Sequence, residues 1–175
     1  MKSVLNWSGG KDSALCLRRI LQGGTYTIDC LLTILGSTTQ HITMHGVRQH
    51  LLEQQARQMG LPLQQMFLPE DANIDTYNNI TEITLHTLQQ QEGIRYDKFG
   101  DINLQDLRND REQQLAKVGL QAVSPLWWNS PTQRLVREFL EQGFQAVVVS
   151  VIACSISRLQ DACWMNAFWK IYRRV

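Results

Sequence analysis

The 175-residue chain has few cysteines, few prolines, almost no net charge and no long apolar run. Its four cysteines, Cys16, Cys30, Cys154 and Cys163, include no Cys-x-x-Cys pair. That spacing argues against zinc, iron–sulfur and dithiol chemistry, and reduced, partly buried thiols are expected instead. Seventeen basic side chains face sixteen acidic ones, a formal charge of +1. No global field would therefore recruit nucleic acid or a membrane surface. No stretch reaches the roughly 18 apolar residues that a membrane helix needs. Met1 and Lys2 lead into only a short segment before Gly9 and Gly10, too short for a secretory signal. The expected location is the cytoplasm. One domain over 1–175 is expected, with 43% apolar residues to build its core.

Within that frame, strands and helices alternate. Strands are expected at 3–7, 28–35, 63–68, 95–99, 121–124 and 146–152. Helices are expected at 12–21, 47–59, 74–91, 104–118 and 131–142. The run at 28–35 is almost wholly apolar, as in a strand covered on both faces. Strands separated by helices of this length pair in parallel through right-handed crossovers. The expected fold is an α/β three-layer sandwich around a parallel twisted sheet. Ligands in such sheets sit beyond the carboxyl ends of the strands. The segments 8–13, 36–46 and 100–101 lie there, and they hold most of the polar residues that stand out.

Ser8-Gly9-Gly10-Lys11-Asp12-Ser13 joins the first strand to the first helix. Glycines let the backbone approach a ligand, helix N-terminal amides favour anions, Lys11 adds a full charge, and Ser8 and Ser13 add hydroxyl donors. Asp12 fits either a helix cap or a magnesium ion that bridges phosphates. The loop matches neither G-x-x-x-x-G-K-[ST] nor G-x-G-x-x-G. A plain capped glycine turn is the alternative, and the density of donors favours an anion site.

The loop resembles the PP-loop of the N-type ATP pyrophosphatases. Further segments narrow the likeness: Met44-His45-Gly46-Val47-Arg48, Gln55-Ala56, Gly60-Leu61-Pro62, Phe99-Gly100-Asp101-Ile102, Arg111-Glu112 and Pro125-Leu126-Trp127. In that order they are similar to the diphthine–ammonia ligase-related branch, with its Rossmann-like, adenine nucleotide alpha hydrolase-like fold, over roughly residues 2–152. The resemblance implies ATP and Mg2+ as cofactors and a ligase that cleaves ATP to AMP and pyrophosphate. An acceptor carboxylate is adenylated, and a nucleophile such as ammonia displaces AMP. It implies catalytic roles for Lys11 and Asp101, nucleotide contacts from Ser8, Gly9, Gly10, Lys11, Asp12, Ser13, Met44, His45 and Gly100, and metal binding by Asp12 and Asp101.

Alternatives stay open at several residues. His45 also fits a surface or cap position, and Asp101 a turn or helix cap. Arg108, Arg111 and Glu112 also fit a solvated helix face. Trp127-Trp128 fits a pocket wall or core packing equally well. Related proteins continue into an acidic Gly-Glu-x-Gly-Glu-like segment that faces the acceptor. Here no acidic residue follows Asp161, and that part of the acceptor region is expected to be missing after about residue 155. Trp164, Phe168, Ile171 and Val175 have the spacing of a short amphipathic helix. A non-catalytic adenine-nucleotide-binding module is the rival function. A tRNA thiolase or sulfonucleotide reductase is disfavoured by the absence of cysteine pairs and of a basic surface. The acceptor remains unnamed, and a homodimer is left open. Met44-His45 after the second strand implies adenine recognition, with Met44 as a soft apolar face for the purine. In competition binding ATP is expected to outcompete GTP, and equal affinities would remove this segment from the nucleotide site.

Overall fold

A computed structural model describes residues 1–42, 46–102, 104–127, 132–150 and 168–172. Five parallel strands form the main sheet: β1 (Lys2–Asn6), β2 (Thr27–Gly36), β3 (Leu63–Leu68), β4 (Tyr96–Lys98) and β5 (Gln121–Val123). Their spatial order is β3-β2-β1-β4-β5. The helices between them are α1 (Lys11–Gly23), α2 (Gln49–Met59), α3 (Ile74–Glu92) and α4 (Gln105–Lys117), and α5 (Thr132–Glu141) follows β5. Asn73 caps α3 by accepting from the Thr76 amide at 2.8 Å, which satisfies one of the helix's orphan donors.

Alternation along the strands sends side chains into two cores. Leu5, Leu31 and Leu35 pack with residues of α1, α2 and α5, such as Leu15, Leu52 and Phe139, on one face. Val4, Leu32 and Met66 pack with residues of α3 and α4, such as Leu85 and Leu115, on the other. This is the expected α/β sandwich of three layers. β2 breaks strict alternation, because Ile28 faces the first core, Cys30 the second and Leu31 the first again. The cause is a register shift beside β1, where Ser3 pairs with Ile28 and Val4 with Cys30. Asp29 is the extra residue of this bulge, and its carboxylate accepts the Ser3 amide at 3.1 Å. Of the four cysteines, Cys16 and Cys30 are buried and free. Cys154 and Cys163 lie outside the described residues.

Two expectations about the C-terminal part are corrected. The expected strand after α5 forms as β6 (Gln145–Ser150), but it does not extend the parallel sheet. It pairs antiparallel with β7 (Phe168–Tyr172) in a separate two-stranded sheet. The helix expected near Trp164–Val175 is replaced, at 168–172, by that strand. Short apolar runs fit helix and strand periods alike, and the segment Phe-Trp-Lys-Ile-Tyr is rich in aromatic and branched residues that suit a strand.

The short strand β4 has a lysine at its carboxyl end with no access to solvent. Lys98 is 0% exposed, and among the described residues its Nζ has no hydrogen-bond partner. The ammonium nitrogen stands 2.9 Å from the ring centre of Tyr26 and 4.9 Å from that of Tyr96. Ring faces attract a cation but replace only part of its hydration. Burial lowers the Lys98 amine to about 8. Because the folded value lies below the unfolded one, the folded state sheds this proton first as pH rises. Stability is therefore expected to increase between about pH 8 and 10.5. Urea unfolding across that window tests it: Lys98→Met should flatten the rise, and an equal rise in the variant would place its origin elsewhere.

Candidate functional site

β1 pairs with β2 on one side and β4 on the other, so the strand order reverses at β1. The loop 8–13 leaves β1 at this switch point, and 99–101 leaves β4 beside it. Gly10 is the N-cap of α1, with no side-chain cap bond, and Asp12 sits in the first turn. The capping role allowed for Asp12 is thus not the one it plays. Ser13 Oγ instead donates to the Gly10 carbonyl at 2.9 Å, and Ser8 Oγ donates to Ser13 Oγ at 3.3 Å.

Two glycines set the geometry. Gly9 has φ of +69°, and a Cβ there would lie 2.9 Å from both Gln55 Oε1 and Leu52 Cδ2 of α2. Trp7 Nε1 donates to the same Gln55 oxygen at 2.9 Å, which ties the loop to that helix. Gly100 meets backbone rather than side chain: a Cβ there would lie 3.0 Å from the Asp12 carbonyl carbon and 3.1 Å from the Ser13 nitrogen. A side chain there would require the end of β4 or the first turn of α1 to give by a few tenths of an ångström.

A cavity of about 620 Å³ opens beside the loop. Ser8, Asp12 and Ser13 line it from the loop, Gly100 and Asp101 from the end of β4, and Tyr77, Thr81 and Glu82 from α3. Asp110, Arg111 and Gln114 line it from α4. Its size is that of a small-molecule site. Thr33 Oγ1 and Thr81 Oγ1, both on cavity-lining residues, are buried and have no partner among the described residues. A buried hydroxyl without a partner is costly, and a polar ligand in the cavity would remove that cost.

The site is dense in charge. Lys11 Nζ donates to both oxygens of Asp12, at 2.7 and 2.8 Å. Arg111 donates to Asp101 and lies over the Phe99 ring, 4.1 Å from its centre. Burial raises the Asp101 carboxyl above the usual carboxylate range; Arg111 pulls it down, and the charge of Asp12 pushes it up. Asp97, 2% exposed, lines the cavity from β4 and accepts from Asn6 Nδ2. Magnesium takes oxygen ligands, commonly one or two carboxylates together with phosphates. Asp12 and Asp101, brought together by the Gly100 contact, fit that demand. Among the described residues no three His, Cys, Asp or Glu side chains converge, so a metal here would draw further ligands from phosphate or water.

The expected residues Ser8, Gly9, Gly10, Lys11, Asp12, Ser13, Gly100 and Asp101 thus lie together at the switch point. Met44 and His45 lie outside the described residues, as does Trp128. Trp127 faces α4, with the Arg108 guanidinium 4.9 Å from its ring centre, and Leu126 is fully buried in the first core. Asn6 and Asp97 were not anticipated. Their signal was a polar residue ending the apolar strand before the loop and a charged pair, Asp97-Lys98, inside a short strand.

A family model described as diphthamide synthase N-terminal domain matches residues 1–122. The chain belongs to this family. The family lies in the PP-loop ATP pyrophosphatase superfamily, a group of ATP-using enzymes. The matched residues contain the loop, the switch point and the four helices α1–α4. No curated protein matches the chain in sequence. Among solved structures, the chain is similar to the U34-tRNA thiolase NcsA from Methanococcus maripaludis with its [4Fe-4S] cluster, at 18% identity and a TM-score of 0.47. That likeness covers 81% of this chain, which spans 56% of the length of that structure.

Burial lifts the Asp97 carboxyl to about 8, against the pull of Arg111, Lys98 and Asn6. The folded state then holds this proton to a higher pH than the unfolded chain, whose value is near 3.8. The stability it contributes is present below about pH 4 and is lost as pH rises to about 8. Asp97→Asn is expected to abolish this decline in urea unfolding between pH 4 and 8. A variant that keeps the full decline would show that another group causes it.

Proposed function

We propose that the chain binds ATP with Mg2+ at the 8–13 loop, cleaves it between the α and β phosphates and adenylates a carboxylate-bearing acceptor. In this reading ammonia then displaces AMP, making it an amide-forming ligase. The carrying observation is that the phosphate loop, the Asp101 end of β4 and the 620 Å³ cavity share one rim. An acceptor in the cavity would lie beside phosphates held at the loop.

The acceptor carboxylate oxygen attacks the α phosphorus, and the bond to the bridging oxygen breaks with pyrophosphate leaving. Ammonia next attacks the acyl carbon; AMP leaves with the bonding electron pair, and one proton is released with the amide. Bound Mg2+ supplies charge neutralisation on the departing pyrophosphate. The first-turn amides of α1 and Lys11 hold the phosphate oxygens, and they are fixed before the reaction begins. Asp12 and Asp101 hold the metal, while Thr33 and Thr81 offer hydroxyls to the cavity's occupant.

Pyrophosphate release, screened over carboxylic acids with ammonia, tests the reading. Lys11→Ala should weaken ATP binding at least about tenfold, since a charge-assisted contact contributes roughly 1.5–3 kcal/mol. With Mg2+ present, Asp101→Asn should keep ATP affinity within about a few-fold yet abolish conversion to AMP in a single turnover, because its carboxylate acts on the transition state. ATP binding without cleavage by any acceptor would favour the non-catalytic module. Unchanged cleavage in Asp101→Asn would remove Asp101 from the reaction.

A further inference from the structure

Two of the carboxylates at the rim already hold a cation. Lys11 Nζ bridges both oxygens of Asp12, and Arg111 donates to Asp101. The pairs are neighbours, because the Gly100 contact presses the end of β4 against Asp12. Lys11 belongs to α1, which packs on one face of the sheet, and Arg111 to α4, which packs on the other.

We propose that these pairs form a counter-ion exchange: the phosphates take Lys11 and Arg111 as the metal takes Asp12 and Asp101. Arg111 thereby becomes a nucleotide-binding residue, and ATP and metal bind as a coupled unit. This rests on the ATP–Mg2+ reading of the same site and adds the residue and the order of events that reading leaves open.

The four side-chain charges sum to zero. ATP arriving alone would draw off the cations and leave Asp12 and Asp101 unpaired beside each other and beside phosphate. A divalent cation arriving alone would leave Lys11 and Arg111 facing it. Unpaired like charges sharing a partly buried site repel one another more than they would in open water. When both ligands arrive, each of these four side chains regains a partner of opposite sign. Arg111 suits the part. Its side chain is 29% exposed and its guanidinium rests on the Phe99 ring, so it can turn towards the cavity while its stem stays in place. Its planar fork matches phosphate oxygens as well as carboxylate.

Calorimetric titration of the full chain with ATP, in Mg2+ and in EDTA, measures the coupling. The wild type is expected to bind ATP at least about tenfold more tightly with Mg2+. Asp101→Asn frees Arg111, so in EDTA it should bind ATP roughly two- to fivefold more tightly than the wild type and lose most of the gain from Mg2+. Arg111→Gln should weaken binding in Mg2+ about tenfold, with partial recovery in Arg111→Lys. It should also bind Mn2+ alone more tightly than the wild type, read by electron paramagnetic resonance. Thermal melts show which variants are folded, and Asp12→Asn repeats the EDTA comparison at the Lys11 pair should Asp101→Asn fail to fold. Unchanged ATP affinity in a folded Arg111→Gln, or weaker metal-free binding in Asp101→Asn, would overturn the exchange and leave the ATP reading standing. No ATP binding by the wild type in Mg2+ would sink that reading and the exchange together.

Discussion

Gly100 brings the backbone at the end of β4 to within a Cβ's reach of the Asp12 carbonyl and the Ser13 amide. Because the facing atoms are backbone, a side chain at this position would have to move the strand or the helix. The contact joins two segments that are far apart in the chain, the loop after β1 and the turn after β4. It also brings Asp12 and Asp101 to the same rim, where burial is the main influence raising the Asp101 carboxyl and the charge of Asp12 adds to it. Lys11 and Arg111 pair with them. The two ion pairs of the rim are thus brought together by one glycine at the strand switch.

β4 carries the cost of the site. A three-residue strand inside a parallel sheet would be most stable if apolar, yet Asp97 turns towards the cavity and Lys98 into the opposite core. Burial opposes the charged form of both, raising the one and lowering the other. Local rules broken beside a ligand site are common where function opposes stability. The main-sheet core compensates, with Leu5, Leu31, Leu35 and Leu52 all fully buried around β1 and β2.

The limits of sequence reading show in particular elements. Helix-to-strand alternation marked β1 to β5 because each run is bounded by turn residues and its apolar period matches its element. β6 was recognised as a strand but not its partner, since pairing depends on what packs beside an apolar run. β7 was read as part of a helix because short apolar runs fit either period, and of the four residues at helical spacing only Phe168 and Ile171 fall within it. Arg111 fell within a segment of the family likeness and on a charged helix face, and nothing local points it at Asp101, ten positions earlier.

Sequence alone determined the glycine turn at 8–13, since Gly9, Gly10 and the first turn of α1 are set by local backbone geometry that the chain builds within a few residues. It also determined the order of the elements from β1 to β6, which depends on local periodicity. Only the tertiary structure decided that Asp101 faces Asp12, that Arg111 and Lys11 neutralise them, and that Asp97 and Lys98 lie out of water. Those facts depend on which strands become neighbours, and strand neighbours are chosen by long-range packing that no local pattern records.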